Sequence, residues 1–197
     1  MIRIAVTGGI ASGKSTVGTM LIARGAAVCD ADQLAHAAMV GGSEVHRAVV
    51  GAFGEAILGP DGEIDRAALG RRVFAGEAAR LRLNRIVHPE VSRAWNAWLA
   101  ARPADCRLAA VLVPLLFEGG FAVGWDGIVC ISAPRRIQME RLRACGLSAA
   151  DAELRIAAQM GGCERERRSD YVLANSGSKE LLRRQVERMM RDMLERA

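Results

Sequence analysis

Along the chain, short apolar runs alternate with longer segments whose apolar positions recur every three or four residues. The first run, Ile2-Arg3-Ile4-Ala5-Val6-Thr7, has the length and β-branched character of a strand. A helical pattern follows, predicted over 14–23, with Gly25 as its stop signal. Ala26-Ala27-Val28-Cys29 reads as a second buried parallel strand and stops at Asp30-Ala31-Asp32. From 33 to 107 the pattern is helical, broken by turn signals at Gly41-Gly42, Gly59-Pro60-Asp61-Gly62 and His88-Pro89. The spacing predicts helices over 35–39, 44–53, 65–74, 78–87 and 89–101, with Asp65 as an N-cap and Pro89 in a first turn. Trp95 and Trp98 share a helical face there and read as core packing before a cofactor box.

Strands resume at Leu108-Ala109-Ala110-Val111-Leu112-Val113, which Pro114 should take out of the ladder, and at Gly127-Ile128-Val129-Cys130-Ile131. Helices are predicted over 134–144 and 149–160, the second with Ser148 as its N-cap, before the charged stretch Glu164-Arg165-Glu166-Arg167-Arg168. Asp170-Tyr171-Val172-Leu173-Ala174 reads as a fifth strand, and an amphipathic helix is predicted over 179–196. Such alternation implies an α/β fold: a five-stranded parallel sheet with helices on both faces and right-handed crossovers. The expected organisation is a nucleotide-binding core of 1–32, 108–134 and 169–197. A helical acceptor-binding insertion would occupy 33–107 and a helical lid 135–168.

Composition narrows the partners. The net charge of +5 admits nucleic acid as a ligand, but the arginines are scattered and aromatics make up only 4%, so no base-stacking platform is visible. An arginine-rich site for a polyanionic small molecule accounts for the charge. Cys29, Cys106, Cys130, Cys145 and Cys163 form no CxxC pair and no Cys/His cluster, which suggests free thiols in a reducing cytoplasm. No run reaches membrane-spanning length, and a strand from residue 2 leaves no room for a signal peptide.

The chemistry is concentrated in Gly8-Gly9-Ile10-Ala11-Ser12-Gly13-Lys14-Ser15, a G-x-x-x-x-G-K-S pattern between a strand and a helix. Backbone N–H groups over Gly9, Ile10, Ala11, Ser12, Gly13, Lys14, Ser15 and Thr16 would wrap the phosphates of ATP, helped by the helix dipole. Lys14 would neutralise the β- and γ-phosphates, and the Ser15 hydroxyl would be a ligand for Mg²⁺. Lys14 and Lys179 are the chain's only lysines among 27 basic residues, so lysine at this site is a choice. A compact ammonium suits a tight anion cradle better than a planar guanidinium.

Asp30 and Asp32 should emerge at the carboxyl end of strand two, beside this loop. Asp32 is the candidate base for an acceptor hydroxyl and Asp30 a candidate Mg²⁺ group, although either also suits a helix cap. Positive charge for the transition state is sought in 135–168, at Arg141, Arg155 and Arg165 to Arg168, each of which also reads as a solvated surface arginine. Glu118 is equally a partner for arginine or Mg²⁺ and a plain loop carboxylate. His88 fits local packing as well as a substrate contact.

Taken in order, these segments resemble the dephospho-coenzyme A kinases over nearly the whole chain. The matching pieces are Thr7-Gly8-Gly9-Ile10-Ala11-Ser12-Gly13-Lys14-Ser15-Thr16, Asp30-Ala31-Asp32, Leu83-Asn84-Arg85-Ile86-Val87-His88-Pro89 and Val113-Pro114-Leu115-Leu116-Phe117-Glu118. Further matches are Gln138-Met139-Glu140-Arg141-Leu142, Ile156-Ala157-Ala158-Gln159-Met160 and Asp170-Tyr171-Val172-Leu173-Ala174-Asn175-Ser176-Gly177. The resemblance implies transfer of the γ-phosphate of ATP to the 3′-hydroxyl of dephospho-CoA, the last step of coenzyme A synthesis. It implies Asp32 as base, Arg141 as a lid arginine on the ATP phosphates and Asn175 as an adenine contact. Thr7, Asp32, His88 and Leu115 then fall on the acceptor side. After Arg141-Leu142 the family usually has two more residues and then Arg-Asp-Gly, whereas Arg143-Ala144-Cys145-Gly146 is one residue shorter and lacks the Arg-Asp pair; Ala174 replaces its usual Asp, and Arg165 stands where it has a lid lysine. The resemblance leaves a monomer or weak homo-oligomer in the cytoplasm. Rival readings are a kinase of another hydroxyl acceptor, or a nucleotide switch, which would need an N-K-x-D segment that the chain lacks.

Overall fold

The computed structural model describes residues 1–74 and 76–196. The chain divides into two compact units, Met1–Asp30 with Leu99–Ala197, and Ala31–Trp98. The first is built on five strands, β1 (Ile2–Gly8), β2 (Ala27–Asp30), β3 (Leu108–Leu112), β4 (Gly127–Ser132) and β5 (Tyr171–Ala174), all parallel in the order β2-β3-β1-β4-β5. After β1 the chain crosses to β2 on one side; after β3 it crosses to β4 on the other. The segments leaving β1 and β3 therefore diverge, which makes this the switch point at which such sheets place their ligands.

The central strands β1, β3 and β4 are buried on both faces along most of their length, which is why they read as continuous apolar runs. Ile2, Ile4 and Val6 of β1 join Leu108, Ala110 and Leu112 of β3 and Val129 and Ile131 of β4 on one face. Helices α1 (Lys14–Ile22) and α9 (Lys179–Glu195) cover that face with Val17, Leu21, Leu182, Val186, Met189, Met190 and Met193. Burying each large side chain is worth roughly 1.5–3 kcal/mol, whereas an exposed ion pair such as Arg183–Glu180 is screened by water and adds little. Apolar packing therefore dominates the fold. On the opposite face Cys130 contacts Ser169, just past the short helix α8 (Gly162–Arg167). Between β4 and α8 lie α6 (Arg135–Ala144) and α7 (Ala149–Ala157), and Ser148 caps α7 by accepting from the Asp151 N–H at 3.1 Å.

The second unit is helical: α2 (Ala31–Ala38), α3 (Glu44–Phe53), a 3-10 turn (Glu55–Ile57), α4 (Arg66–Phe74) and most of α5 (Glu77–Ala100). A single antiparallel bridge, Leu58 to Ile64, precedes α4. Asp65 caps α4 as expected, accepting from Ala67 and Ala68 at 2.8 and 3.2 Å. Two expectations are corrected. Helix α2 starts at Ala31, four residues earlier than the spacing suggested, so Asp32 lies in its first turn. The helices expected over 78–87 and 89–101 are one helix, with Pro89 inside it. An internal proline costs about 3 kcal/mol. The buried stripe Val87, Val91, Trp95 and Leu99 runs at four-residue spacing past the proline, and splitting the helix would break it.

Candidate active site

The site begins where β1 ends. Gly8 to Gly13 form the loop, and Lys14 opens α1, whose first-turn N–H groups have no partner within the helix. Two glycines are required sterically. A Cβ on Gly13 (φ 105°) would lie 2.1 Å from the Asn175 amide, and one on Gly8 would lie 2.6 Å from the Ile131 carbonyl oxygen. Ser12 N–H closes the turn onto Gly9 O at 3.1 Å. The ammonium of Lys14 folds back over the loop and donates to Gly8 O at 2.8 Å and Gly9 O at 3.1 Å. Ser12 Oγ is fully buried with no hydrogen-bond partner, a hydroxyl that an anionic oxygen would satisfy.

Four side chains from 135–175 hold the loop's backbone. Gln138 donates to Ile10 O at 3.1 Å, and Gln159 accepts from Ile10 N–H at 2.7 Å. Arg141 Nη1 donates to Ala11 O at 2.9 Å and Ser12 O at 3.1 Å, while its Nη2 reaches Asn175 O at 3.2 Å. The Asn175 side chain donates to Ser12 O at 2.7 Å, and its N–H bonds Ser132 O at 2.7 Å.

Arg165 is the other arginine beside the loop. Its guanidinium is 4% exposed and lies 3.6 Å from the position of a Cβ on Gly9. Nη2 donates to Met160 O at 2.8 Å and to Glu118 Oε1 at 3.4 Å, and Nε has no partner. The same Glu118 oxygen accepts from Met160 N–H at 2.8 Å, so Glu118 is an arginine partner. A cavity of about 520 Å³, within the range of small-molecule sites, is bounded by Gly9, Ser132, Gln138, Gln159, Arg165 and Glu166.

Other expected residues are more dispersed. Thr7 is fully buried, and its hydroxyl donates to Pro114 O at 3.3 Å, joining the loop's root to the segment after β3; Leu115 is half-buried in that segment. Thr16 is half-buried in α1. Arg167 points to solvent, and Arg168 lies over the Phe117 ring, 4.5 Å from its centroid. In the second unit Asp32 is exposed, and His88 is half-buried within α5, where burial pushes its pKa down. Burial pushes Cys130, under α8, up to about 11. The two glutamines were passed over as site residues, although both stand in the matching segments. An amide at a single position carries no chemical signature of its own.

Mg²⁺ prefers a few hard oxygens supplemented by phosphate and water. Ser15 is exposed in the first turn of α1. Asp30 ends β2 beside Leu112, which in turn stands beside Val6, two residues before Gly8. Both supply hard oxygen, and among the described residues no group of three or more Cys, His, Asp or Glu suits a metal better. The donor set fits the ion.

Residues 2–180 match the dephospho-CoA kinase (CoaE) family model. The chain belongs to the dephospho-CoA kinase family. Enzymes of this family are ATP-dependent kinases that complete coenzyme A biosynthesis, and the chain is such a kinase by family. A dephospho-CoA kinase of Anaeromyxobacter dehalogenans is 44% identical over 198 residues, covering 96% of this chain and 91% of that one. Among solved structures, TT1252 from Thermus thermophilus superposes with a TM-score of 0.82 at 36% identity, covering 97% of each chain. Dephospho-CoA kinase from Campylobacter jejuni shares the fold at a TM-score of 0.68 and 23% identity, over 98% of this chain and 97% of that one.

Proposed function

We propose that this chain transfers the γ-phosphoryl group of ATP to the ribose 3′-hydroxyl of dephospho-CoA, with the site residues in the following roles. The loop from Gly9 to Thr16 binds the phosphates through backbone N–H groups, and Lys14 leaves its two loop carbonyls to neutralise the β- and γ-phosphates. Asp32 accepts the proton of the 3′-hydroxyl as that oxygen bonds to γ-phosphorus and the bridge to the β-phosphate breaks. Ser15 and Asp30 would hold Mg²⁺, which when bound neutralises phosphate charge. Asn175 borders the adenine, and Thr7, Leu115 and His88 belong to the acceptor side. Arg141 serves the nucleotide through the loop it grips.

The observation that carries this reading is the family match across residues 2–180, on a chain whose phosphate loop is intact. The buried Ser12 hydroxyl without a partner supports an anion at that loop. Among the described residues no helix is long and apolar enough to cross a membrane. The same reading has the chain act in the cytoplasm on a small molecule, without nucleic-acid or membrane partners, as a monomer or weak homo-oligomer. Its free cysteines support a reducing compartment.

Coupled ADP release with dephospho-CoA, adenosine and shikimate compared side by side tests it. Turnover with dephospho-CoA at least about 100-fold above the others is expected, well within the roughly 10⁴–10⁵-fold discrimination available to a site that hydrogen-bonds its substrate. Equal rates with shikimate or adenosine, or ADP release indifferent to acceptor, would remove the acceptor assignment.

A further inference from the structure

We propose that Arg141 is a positioning residue that fixes the direction of the phosphate loop's N–H groups by holding the opposite ends of the same peptides. Its Nη1 donates to the carbonyls of Ala11 and Ser12, and its Nη2 to that of Asn175. A trans peptide is planar, with C=O and N–H pointing in opposite directions. Anchoring the Ala11 carbonyl therefore aims Ser12 N–H away from α6, where it meets Gly9 O. Anchoring the Ser12 carbonyl aims Gly13 N–H the same way. These groups cannot turn toward the guanidinium without breaking two of its bonds.

The loop needs such support at one point. Ala11 has φ 55° and is the only described non-glycine residue in the left-handed region. A Cβ disfavours that conformation, so an unsupported Ala11 drifts out of it and takes the Ser12 amide along. Arg141 bonds the carbonyl of this same residue. The neighbouring Ser12 carbonyl also accepts from Asn175 Nδ2, which locks the turn from a second element. The guanidinium is thus committed to backbone acceptors around the loop.

This inference rests on the loop being the nucleotide-phosphate site, and its deciding cycle is read on nucleotide alone, so that cycle is independent of the acceptor. In a double-mutant cycle, ADP affinity is measured for wild type, Arg141→Met, Ala11→Gly and the double variant. Arg141→Met should weaken ADP about tenfold, the loss expected for hydrogen bonds from a charged group. Glycine has no left-handed penalty, so in the Ala11→Gly background the same change should cost about threefold less. A direct contact with phosphate predicts equal loss in both backgrounds, which would overturn the proposal.

A second test uses a milder variant, read by hydrogen exchange without nucleotide and by steady-state kinetics. Arg141→Lys keeps the charge but loses the fork. Hydrogen exchange of the peptide covering residues 8–16 should speed up about tenfold, with kcat at saturating ATP within about twofold of wild type and KM for ATP raised. Unchanged exchange, or a fall in kcat at constant KM, would overturn it. Wild type that bound ADP but failed to phosphorylate dephospho-CoA would sink the acceptor reading and leave this cycle intact; wild type that bound no ADP would sink both.

Discussion

Arg141 and Asn175 converge on one atom: the Ser12 carbonyl oxygen accepts from Arg141 Nη1 at 3.1 Å and from Asn175 Nδ2 at 2.7 Å. One donor comes from α6, after β4, and the other from the turn after β5. The backbone turn that receives phosphate is therefore fixed by elements more than 120 residues further along the chain. A loop held in shape before the ligand arrives need not be ordered by it, and less of the binding energy is lost to immobilisation.

Replacing Lys14 by alanine removes the ammonium that bonds the loop's first two carbonyls. Its loss should lower kcat/KM at least about 10²-fold, the scale for one preorganised charge donor. The melting temperature should move little, because the side chain is only half-buried. Near-normal turnover in a well-folded Lys14→Ala protein would refute the phosphate assignment.

Asp32→Asn keeps size and polarity but cannot accept a proton. If Asp32 is the base, kcat should drop about 10²–10⁴-fold while KM for ATP stays close to that of wild type. Steady-state kinetics with both substrates varied decide the matter. A raised KM with kcat preserved would assign Asp32 to binding.

Glu118 joins a largely buried arginine to the Met160 amide. Glu118→Gln keeps an acceptor but removes the charge facing Arg165. The expected loss is about 1–3 kcal/mol, at the lower end because the Glu118 side chain is 22% exposed. Urea unfolding measures it, and an unchanged midpoint would show that Arg165 is held by Met160 alone.

Burial lowers the pKa of His88 from its ordinary value of 6.5. Below that pH the unfolded chain takes up a proton that the folded one refuses. Stability is therefore at its full value above about pH 6.5 and falls as pH drops through the lowered folded pKa. His88→Gln should flatten that fall. Denaturant midpoints at pH 7.5 and 5.5, compared between the two proteins, give the answer; identical slopes would mean that His88 charges equally in both states.

Local features of the sequence determined a great deal. Strand runs two faces deep in apolar residues, the Asp65 and Ser148 caps, and the strand–loop–helix spacing around Lys14 all depend on neighbours a few residues away. Their outlines survive in the fold for that reason. A buried stripe carried α5 through Pro89, and α2 began at Ala31 directly after β2. The strand order could not be read from the chain, because β1 pairs with β3 and β4 through contacts that local periodicity does not encode. Nor could the grip of Gln138, Arg141, Gln159 and Asn175 on the loop be read there. The sequence names a phosphate loop by its own glycines and lysine, but hydrogen bonds to backbone carbonyls leave no residue type behind at the accepting end. Only folding, by bringing α6, the residues just past α7 and the end of β5 against residues 10–12, decided which side chains hold that loop in shape.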